Sequence, residues 1–356
     1  MIWVVFREHF PEFALYYGIG ASIIPLYYGI EDLEMKRLAE NQLMRWKDSP
    51  RRKPLIVRGA RQVGKTWLIE KVLGEQFDHV ATVNLELHKD ARKHFQADFV
   101  PQRILQALEF ITGRVEPGKT LLFLDEIQAC PEAITALRYF YEEMPELHVV
   151  AAGSLLEFAF GEISVPVGRV QYLHLCPMTF YEYLGALGKD VIAEKLLISP
   201  AELSPLIQDD ILRELKTYFL VGGMPEAVEC FARTRDLRAV RGIQNDILSA
   251  YVLDFAKHAA PADIPKLSLI WESVPAQLAR ENKKFIYSAV RKGARAKGYE
   301  NALKWLEDAG LLLRCHAVST ARHPLKGYMD RDCFKIYALD IGLLGAMAGV
   351  PLELLA

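Results

Sequence analysis

The segment PLIVRGARQVGKTWLIEKVL (54–73) constrains the chain more than any other. A short apolar run stops at a glycine, a polar loop follows, and a lysine and a threonine open an amphipathic helix. Gly59, Ala60, Arg61, Gln62, Val63, Gly64, Lys65 and Thr66 fit G-x-x-x-x-G-K-[ST], a pattern that needs a strand before it and a helix after it. Leu55, Ile56 and Val57 read as a buried strand, and Trp67, Leu68, Val72 and Leu73 recur at helical spacing. In such a loop the backbone N–H groups turn inward and the helix N-terminus adds partial positive charge, so the cavity suits a polyphosphate. The spacing predicts that residues 59–67, Trp67 included, surround a nucleotide. Lys65 would reach the β- and γ-phosphates, and the Thr66 hydroxyl would ligate Mg2+. The plain alternative is a glycine-rich turn that merely joins a strand to a helix.

A second acidic strand end separates hydrolysis from mere binding, and TLLFLDEIQ (120–128) supplies one. Its four consecutive apolar residues suit a strand buried on both faces of a parallel sheet. Ligands of such sheets bind beyond the carboxyl ends of the strands. Asp125 is therefore expected to hold the metal, and Glu126 to orient or deprotonate the attacking water. An exposed Asp-Glu pair in a turn is the ordinary alternative. Further strands are expected at 80–86, 147–152 and 170–175, with Ser154 at the tip of the fourth, beside the γ-phosphate.

This order resembles the AAA+ superfamily of P-loop ATPases, in which an extra strand lies between the phosphate-loop strand and the acidic strand. There a polar residue ending the next strand senses the γ-phosphate. The likeness narrows with RRKPLIVRGARQVGKTWL, FLDEIQACPEAITALRYFYEE, VPVGRVQYLHLCPMTFYEYL, YFLVGGMPEAV, YVLDFAKHA and FKIYALDIGLL. Together these phrases resemble the prokaryotic AAA+ ATPases that carry a C-terminal domain of unknown function, over a stretch from about Met35 onward. The resemblance implies ATP and Mg2+ as ligands and an α/β core of parallel strands flanked by helices. It also implies a helical lid and a site completed by an arginine from a neighbouring copy. Arg138 and Arg169 are candidates for that arginine, with Arg169 favoured because its Gly-Arg phrase is shared with the family. Each is equally a surface ion-pair partner. Family members continue into a nuclease-like segment with a Glu-x-Lys motif; no such motif follows FKIYALDIGLL, so the chain reads as truncated and no nuclease activity is assigned.

With 356 residues and 51% hydrophobic content, two or three cores are expected. A formal net charge of −2 gives no global attraction to nucleic acid or to an acidic membrane, so any DNA contact must be a local patch. Five widely spaced cysteines without a C-x-x-C pair read as reduced thiols of a cytoplasmic protein. The nine histidines form no metal motif, so the one metal inferred is nucleotide-borne Mg2+.

Residues 1–34 are aromatic-rich, with Pro25 and glycines interrupting an apolar stretch too short to span a membrane comfortably. They read as an extension upstream of a working start at Met35, or as a packed helix pair; no membrane association is expected. The ATPase core is assigned to 35–180 and the helical lid to 181–262, where apolar residues recur at three- and four-residue spacing. A third unit, 263–356, shows helices at 267–280, 287–295 and 299–309, then strand-like runs at 311–318 and 334–340. Three helices and a hairpin suggest a winged helix, and RKGARAK (291–297) would meet phosphates if the third helix entered a DNA groove. Winged helices also mediate protein contacts, so the partner is DNA or an unknown protein, and a homo-oligomer is compatible with both. Two function classes stay open: an ATPase that drives domain motion, and a slow nucleotide-dependent switch or DNA-binding module with little turnover. Glu126 favours the first.

Overall fold

The structure, a computed structural model, describes residues 35–154, 168–198, 204–280 and 284–352. The extension 1–34 lies outside them, as do the readings made of it.

Five strands build the central sheet: β1 (Leu55–Arg58), β2 (His79–Asn84), β3 (Thr120–Asp125), β4 (His148–Gly153) and β5 (Gln171–His174). Their spatial order is β2-β3-β4-β1-β5, and every pairing is parallel. All five C-terminal ends therefore meet one edge, and β4 lies between the phosphate-loop strand and the acidic strand. β3 and β4 are buried along their whole length, which is why their sequences run apolar without alternation. The expected strands at 80–86, 147–152 and 170–175 are present with ends shifted by one or two residues.

Helices cover the sheet. In the first part of the chain they are α1 (Ala39–Lys47), α2 (Lys65–Trp67), α3 (Lys89–Ala97), α4 (Pro101–Thr112) and α5 (Pro131–Glu143). α2 runs on through wide π-type turns over Leu68–Leu73. Phe95, Leu108, Leu137 and Phe140 from these helices close on Ile56, Val83, Leu122 and Leu124 of the sheet, all essentially without solvent contact.

After the sheet come α6 (Phe180–Ala186), α7 (Asp190–Ile198), α8 (Pro205–Val221), α9 (Pro225–Thr234) and α10 (Leu237–His258). α6 starts with a capping box in which the Thr179 side chain and Glu182 satisfy each other's backbone amides. Then follow α11 (Ile264–Leu278), α12 (Tyr287–Val290) and α13 (Ala296–Asp308). The antiparallel pair β6 (Leu312–Val318) and β7 (Met329–Ala338) and a last helix, α14 (Ile341–Met347), complete the described chain. The helix expected over 287–295 is a single turn that stops at Val290, before the basic phrase. β7 begins five residues earlier than the apolar run FKIYALD, because Met329 and Asp330 pair with Val318 and Ala317 despite their polar surroundings.

α14 packs on α8 and α10, so the end of the described chain returns to the helices that follow the sheet. Arg314, two residues into β6, bonds both Glu307 and Glu300, each at 2.7 Å. β6 therefore runs back along α13, and the hairpin loop lies at the end where α13 begins. Arg291, Lys292, Arg295 and Lys297, around the start of α13, and Arg322 and Lys326, in the hairpin loop, are all exposed. Among the described residues no helix is long and apolar enough to cross a membrane.

Candidate active site

The phosphate loop sits at the C-terminal end of β1, at the sheet edge that also carries Asp125 and Ser154. Its backbone is specialised where the sequence predicts a turn. Gln62 and Gly64 have positive φ, 64° and 90°. Gly59 is packed so closely under the next strand that a Cβ would lie 2.1 Å from the Leu175 carbonyl oxygen. Only glycine fits there. Val63 and Ala60 are buried, whereas Gln62 and Thr66 are exposed and Trp67 is half-buried in the first helical turn.

Lys65 is buried and donates to the Gly59 and Ala60 carbonyls at 3.0 and 2.8 Å, so its ammonium caps the loop that it is expected to serve. Burial lowers its pKa to about 8, with Glu126 and Asp125 opposing the shift and Arg61 adding to it. Thr66 Oγ1 donates to Asp125 Oδ2 at 3.1 Å, uniting the two residues predicted to hold the metal. Burial and the neighbouring Glu126 raise the Asp125 carboxyl, against the pull of its hydrogen bonds from Glu126 N and Thr66. Glu126 stands in the left-handed region, φ 50°, and accepts from Gln128. A non-glycine residue held there is strained, as is common where side chains must be aimed. The loop, the hydroxyl–carboxylate pair and the adjacent glutamate fit a nucleotide with Mg2+. Ser154, buried at the end of β4, accepts from Arg61 Nε at 3.3 Å.

The two arginines considered for the site are not brought to this loop. Arg138 and Arg169 both pair with Glu142, at 3.1 and 2.9 Å. Arg169 precedes β5, which puts it at the opposite edge of the sheet.

Several residues around the loop carry no local motif and were not foreseen. Arg37 is buried and forks between the Val63 carbonyl (2.9 Å), the Cys176 carbonyl (2.7 Å) and Glu182 (3.0 Å). From α10, the Tyr251 hydroxyl donates to the Arg61 carbonyl at 3.0 Å, and Asp254 pairs with the Arg61 guanidinium at 2.8 Å. His258 approaches the same guanidinium at 3.5 Å, and Lys257 pairs with Glu86 beyond β2 at 2.5 Å. Phe255, on the same turns, is fully buried with its ring edge-on to Trp271 and Trp305. Trp305 is thus a packing residue. Behind Gly59 a cavity of about 180 Å3 is lined by Arg58, Ser154, His174, Glu307 and Asp308. The only signal for the α10 residues was the phrase YVLDFAKHA itself; Arg37 had none.

A parallel sheet of this order, with a phosphate loop on one strand and an acidic end two strands away, defines a P-loop nucleoside-triphosphatase fold. Residues 51–184 match the family model described as AAA domain, and residues 212–353 match that described as Domain of unknown function (DUF8612). The chain thus carries a stretch that matches the AAA domain, on a sheet of the P-loop class, followed by a stretch that matches a domain of unknown function. The second match spans α8 to α14 and so crosses the boundary expected after residue 262. Among solved structures, the Walker-type ATPase PABY2304 of Pyrococcus abyssi aligns over 88% of this chain and 95% of its own, with 14% identity and a TM-score of 0.56. That likeness is one of fold. Drosophila ORC bound to DNA (13% identity, 88% and 95% covered, TM-score 0.35) also aligns. So does the Thermotoga maritima RuvB Holliday junction branch migration motor (16%, 81% and 89%, TM-score 0.35). Scores that low carry no assignment. No curated protein matches the chain.

Proposed function

We propose that this chain is a Mg2+-dependent ATPase whose turnover moves the helical units after residue 180 against the sheet. The observation that carries the reading is α10. Tyr251, Asp254 and His258 lie directly on the phosphate loop, while Phe255 between them is packed against Trp271 and Trp305 of the following unit. Any rearrangement of the loop is thereby delivered to a rigid aromatic cluster.

In this reading Lys65 leaves the Gly59 and Ala60 carbonyls to meet the β- and γ-phosphates. Thr66 and Asp125 hold Mg2+, which when bound neutralises phosphate charge. Glu126 orients the attacking water, and Ser154 reports the terminal phosphate. The remaining loop residues, from Gly59 through Gly64 together with Trp67, shape the pocket. Arg169, 47% exposed at the far edge, is the arginine that a neighbouring copy in a homo-oligomer would receive. Residues 181–262 act as lid and 263–356 as a winged-helix-like unit. Reduced thiols suit a cytoplasmic setting.

A second reading, a slow switch or DNA-binding module, is favoured by the basic end of the last unit. Residues 291–335 carry ten lysines and arginines against five aspartates and glutamates, in a chain of net charge −2. Three of those acids, Glu300, Glu307 and Asp308, are already paired with Arg314 or Lys304. Phosphates of a nucleic acid are the natural partners of what is left.

The test is Mg2+-dependent ATP turnover by the full chain, with Lys65→Ala and Glu126→Gln as controls and duplex DNA added or withheld. Lys65→Ala should abolish tight binding, and Glu126→Gln should keep ATP bound while turnover stops. Equal affinity in wild type and Lys65→Ala would sink the nucleotide site. DNA-stimulated turnover supports a coupled motor, and tight ATP binding without turnover supports the switch.

A further inference from the structure

Arg61 is the third residue of the phosphate loop, and its side chain is the one loop cation besides Lys65. Three features set its position. Its carbonyl is pinned by Tyr251, its Nε points at Ser154 Oγ, and its Nη1 is held by Asp254. Ser154 ends β4, and β4 lies between β1 and β3 in the sheet. The guanidinium therefore stands over the slot between the phosphate loop and the Asp125–Glu126 strand end, where the terminal phosphate of a bound triphosphate would project.

We infer that Arg61 is a terminal-phosphate ligand supplied in cis, parked on Asp254 of α10 until ATP arrives. The inference rests on the ATP reading above and adds a residue that the arginines at Glu142 do not provide. A guanidinium binds phosphate oxygens in a planar fork and is charged at all working pH values. The terminal phosphate offers more negative charge than the single Asp254 carboxylate, so Arg61 gains by exchanging one for the other.

The exchange has a mechanical result. Asp254 is only 12% exposed and its carboxyl is raised by burial, with Arg61 as the largest force opposing that rise. His258 and Lys257 are the other cations facing it, and Glu126 is the facing acid. Once Arg61 turns to phosphate, Asp254 is left buried beside Glu126 with weaker company. α10 is then disfavoured in its present seat, and Phe255 carries the displacement to Trp271 and Trp305. ADP lacks the terminal phosphate, so it leaves the Arg61–Asp254 pair intact. A static ion pair that merely ties α10 to the sheet would show no such discrimination.

The test compares equilibrium binding of a non-hydrolysable ATP analogue and of ADP, both with Mg2+, to the full chain and to Arg61→Ala, Arg61→Lys and Asp254→Asn. Arg61→Ala should weaken the ATP analogue roughly tenfold or more while moving ADP little, in line with loss of a charge-assisted phosphate contact. Arg61→Lys should restore part of that preference. Asp254→Asn frees the guanidinium and should raise the preference for the ATP analogue over ADP. A second readout is amide hydrogen exchange over residues 251–258, which the ATP analogue should quicken in wild type and leave unchanged in Arg61→Ala. Equal weakening of both nucleotides by Arg61→Ala, or an unchanged preference in Asp254→Asn, overturns the inference and makes the pair a structural tie. Wild type that binds neither nucleotide overturns the ATP reading and this inference together. Wild type that binds both, with Lys65→Ala defective and Arg61→Ala normal, sinks Arg61 alone. Should Arg61→Ala fail to fold, Arg61→Lys and Asp254→Asn still decide the question through the same ratio.

Discussion

The guanidinium of Arg37 donates to the Val63 carbonyl at 2.9 Å, so a residue just before α1 holds the floor of the phosphate loop. The same side chain reaches Cys176 and Glu182, and Glu182 in turn caps α6 through Thr179. One buried cation thus ties the loop to the segment leaving β5. Removing it strands three acceptors, the Glu182 carboxylate among them buried.

Arg37→Ala is expected to lower stability by about 3 kcal/mol, the scale for breaking a buried ion pair from one side. Arg37→Lys should rescue little, because a single ammonium cannot span three acceptors set around a planar fork. Urea unfolding of the two variants measures this; a lysine variant as stable as wild type would show that charge alone matters.

Nucleotide affinity should fall as the pH rises through about 8, the value to which burial brings Lys65. Phosphates favour the charged amine, so above that pH binding must take up a proton. The dissociation constant should be about tenfold larger at pH 9 than at pH 7. Proton uptake in calorimetry, read in two buffers of different ionisation enthalpy, checks the assignment, and uptake of none at pH 9 would contradict it.

Asp340 is buried at the start of α14 and accepts from Gly223 N at 2.6 Å and Leu343 N at 2.9 Å. Burial raises its carboxyl despite these bonds. Asp340→Asn would turn an amide donor toward backbone donors and should cost about 2 kcal/mol. Because α14 packs on α8 and α10, the loss should appear as faster amide exchange in all three helices. Exchange confined to α14 would mean that it is a separate unit.

His148, at the start of β4, lies in a cage of Trp46 and Phe77 with its Nδ1 unpartnered. Burial, reinforced by Arg52, lowers its pKa to about 4. The unfolded chain binds the proton more readily, so stability is full above the ordinary histidine value and is lost as the pH falls toward 4. Between pH 7.5 and 5 this group should remove about 2 kcal/mol. His148→Phe should lose correspondingly less over the same interval, and parallel losses in both proteins would dismiss the histidine.

The sheet and its edge were legible because the chemistry there is local. A phosphate loop needs its glycines in a fixed frame, and a strand buried on both faces must be apolar throughout, as Leu121 to Leu124 are. What surrounds the loop was not legible, because its parts are remote in sequence. VPVGRVQYLHLCPMTFYEYL supplies the Leu175 carbonyl over Gly59, the Cys176 carbonyl for Arg37, and Glu182. YVLDFAKHA supplies Tyr251 and Asp254, and YFLVGGMPEAV supplies the Gly223 amide for the aspartate of FKIYALDIGLL. Each phrase could be recognised as a family mark without showing what it touches. Gly223 makes the point: a Cβ there would lie 1.9 Å from the Met178 carbonyl oxygen, a constraint invisible until both strands of chain are in place. The short α12 and the early start of β7 were missed for the opposite reason, since pairing and packing there override weak local preferences.

The seating of Tyr251 and Asp254 on Arg61 also fixes an order of events during synthesis. A ribosome delivers the phosphate loop early, and the early part of a chain generally begins to fold before the rest has emerged. Here the loop's cover is encoded almost two hundred residues later, and the Asp340 contact that steadies the cover later still. A nascent chain can therefore present a bare phosphate loop well before it can present a covered one. On the ATPase reading proposed above, a nucleotide binding at that stage would meet the uncovered form first, and the helices proposed to respond to it would assemble around an occupied loop.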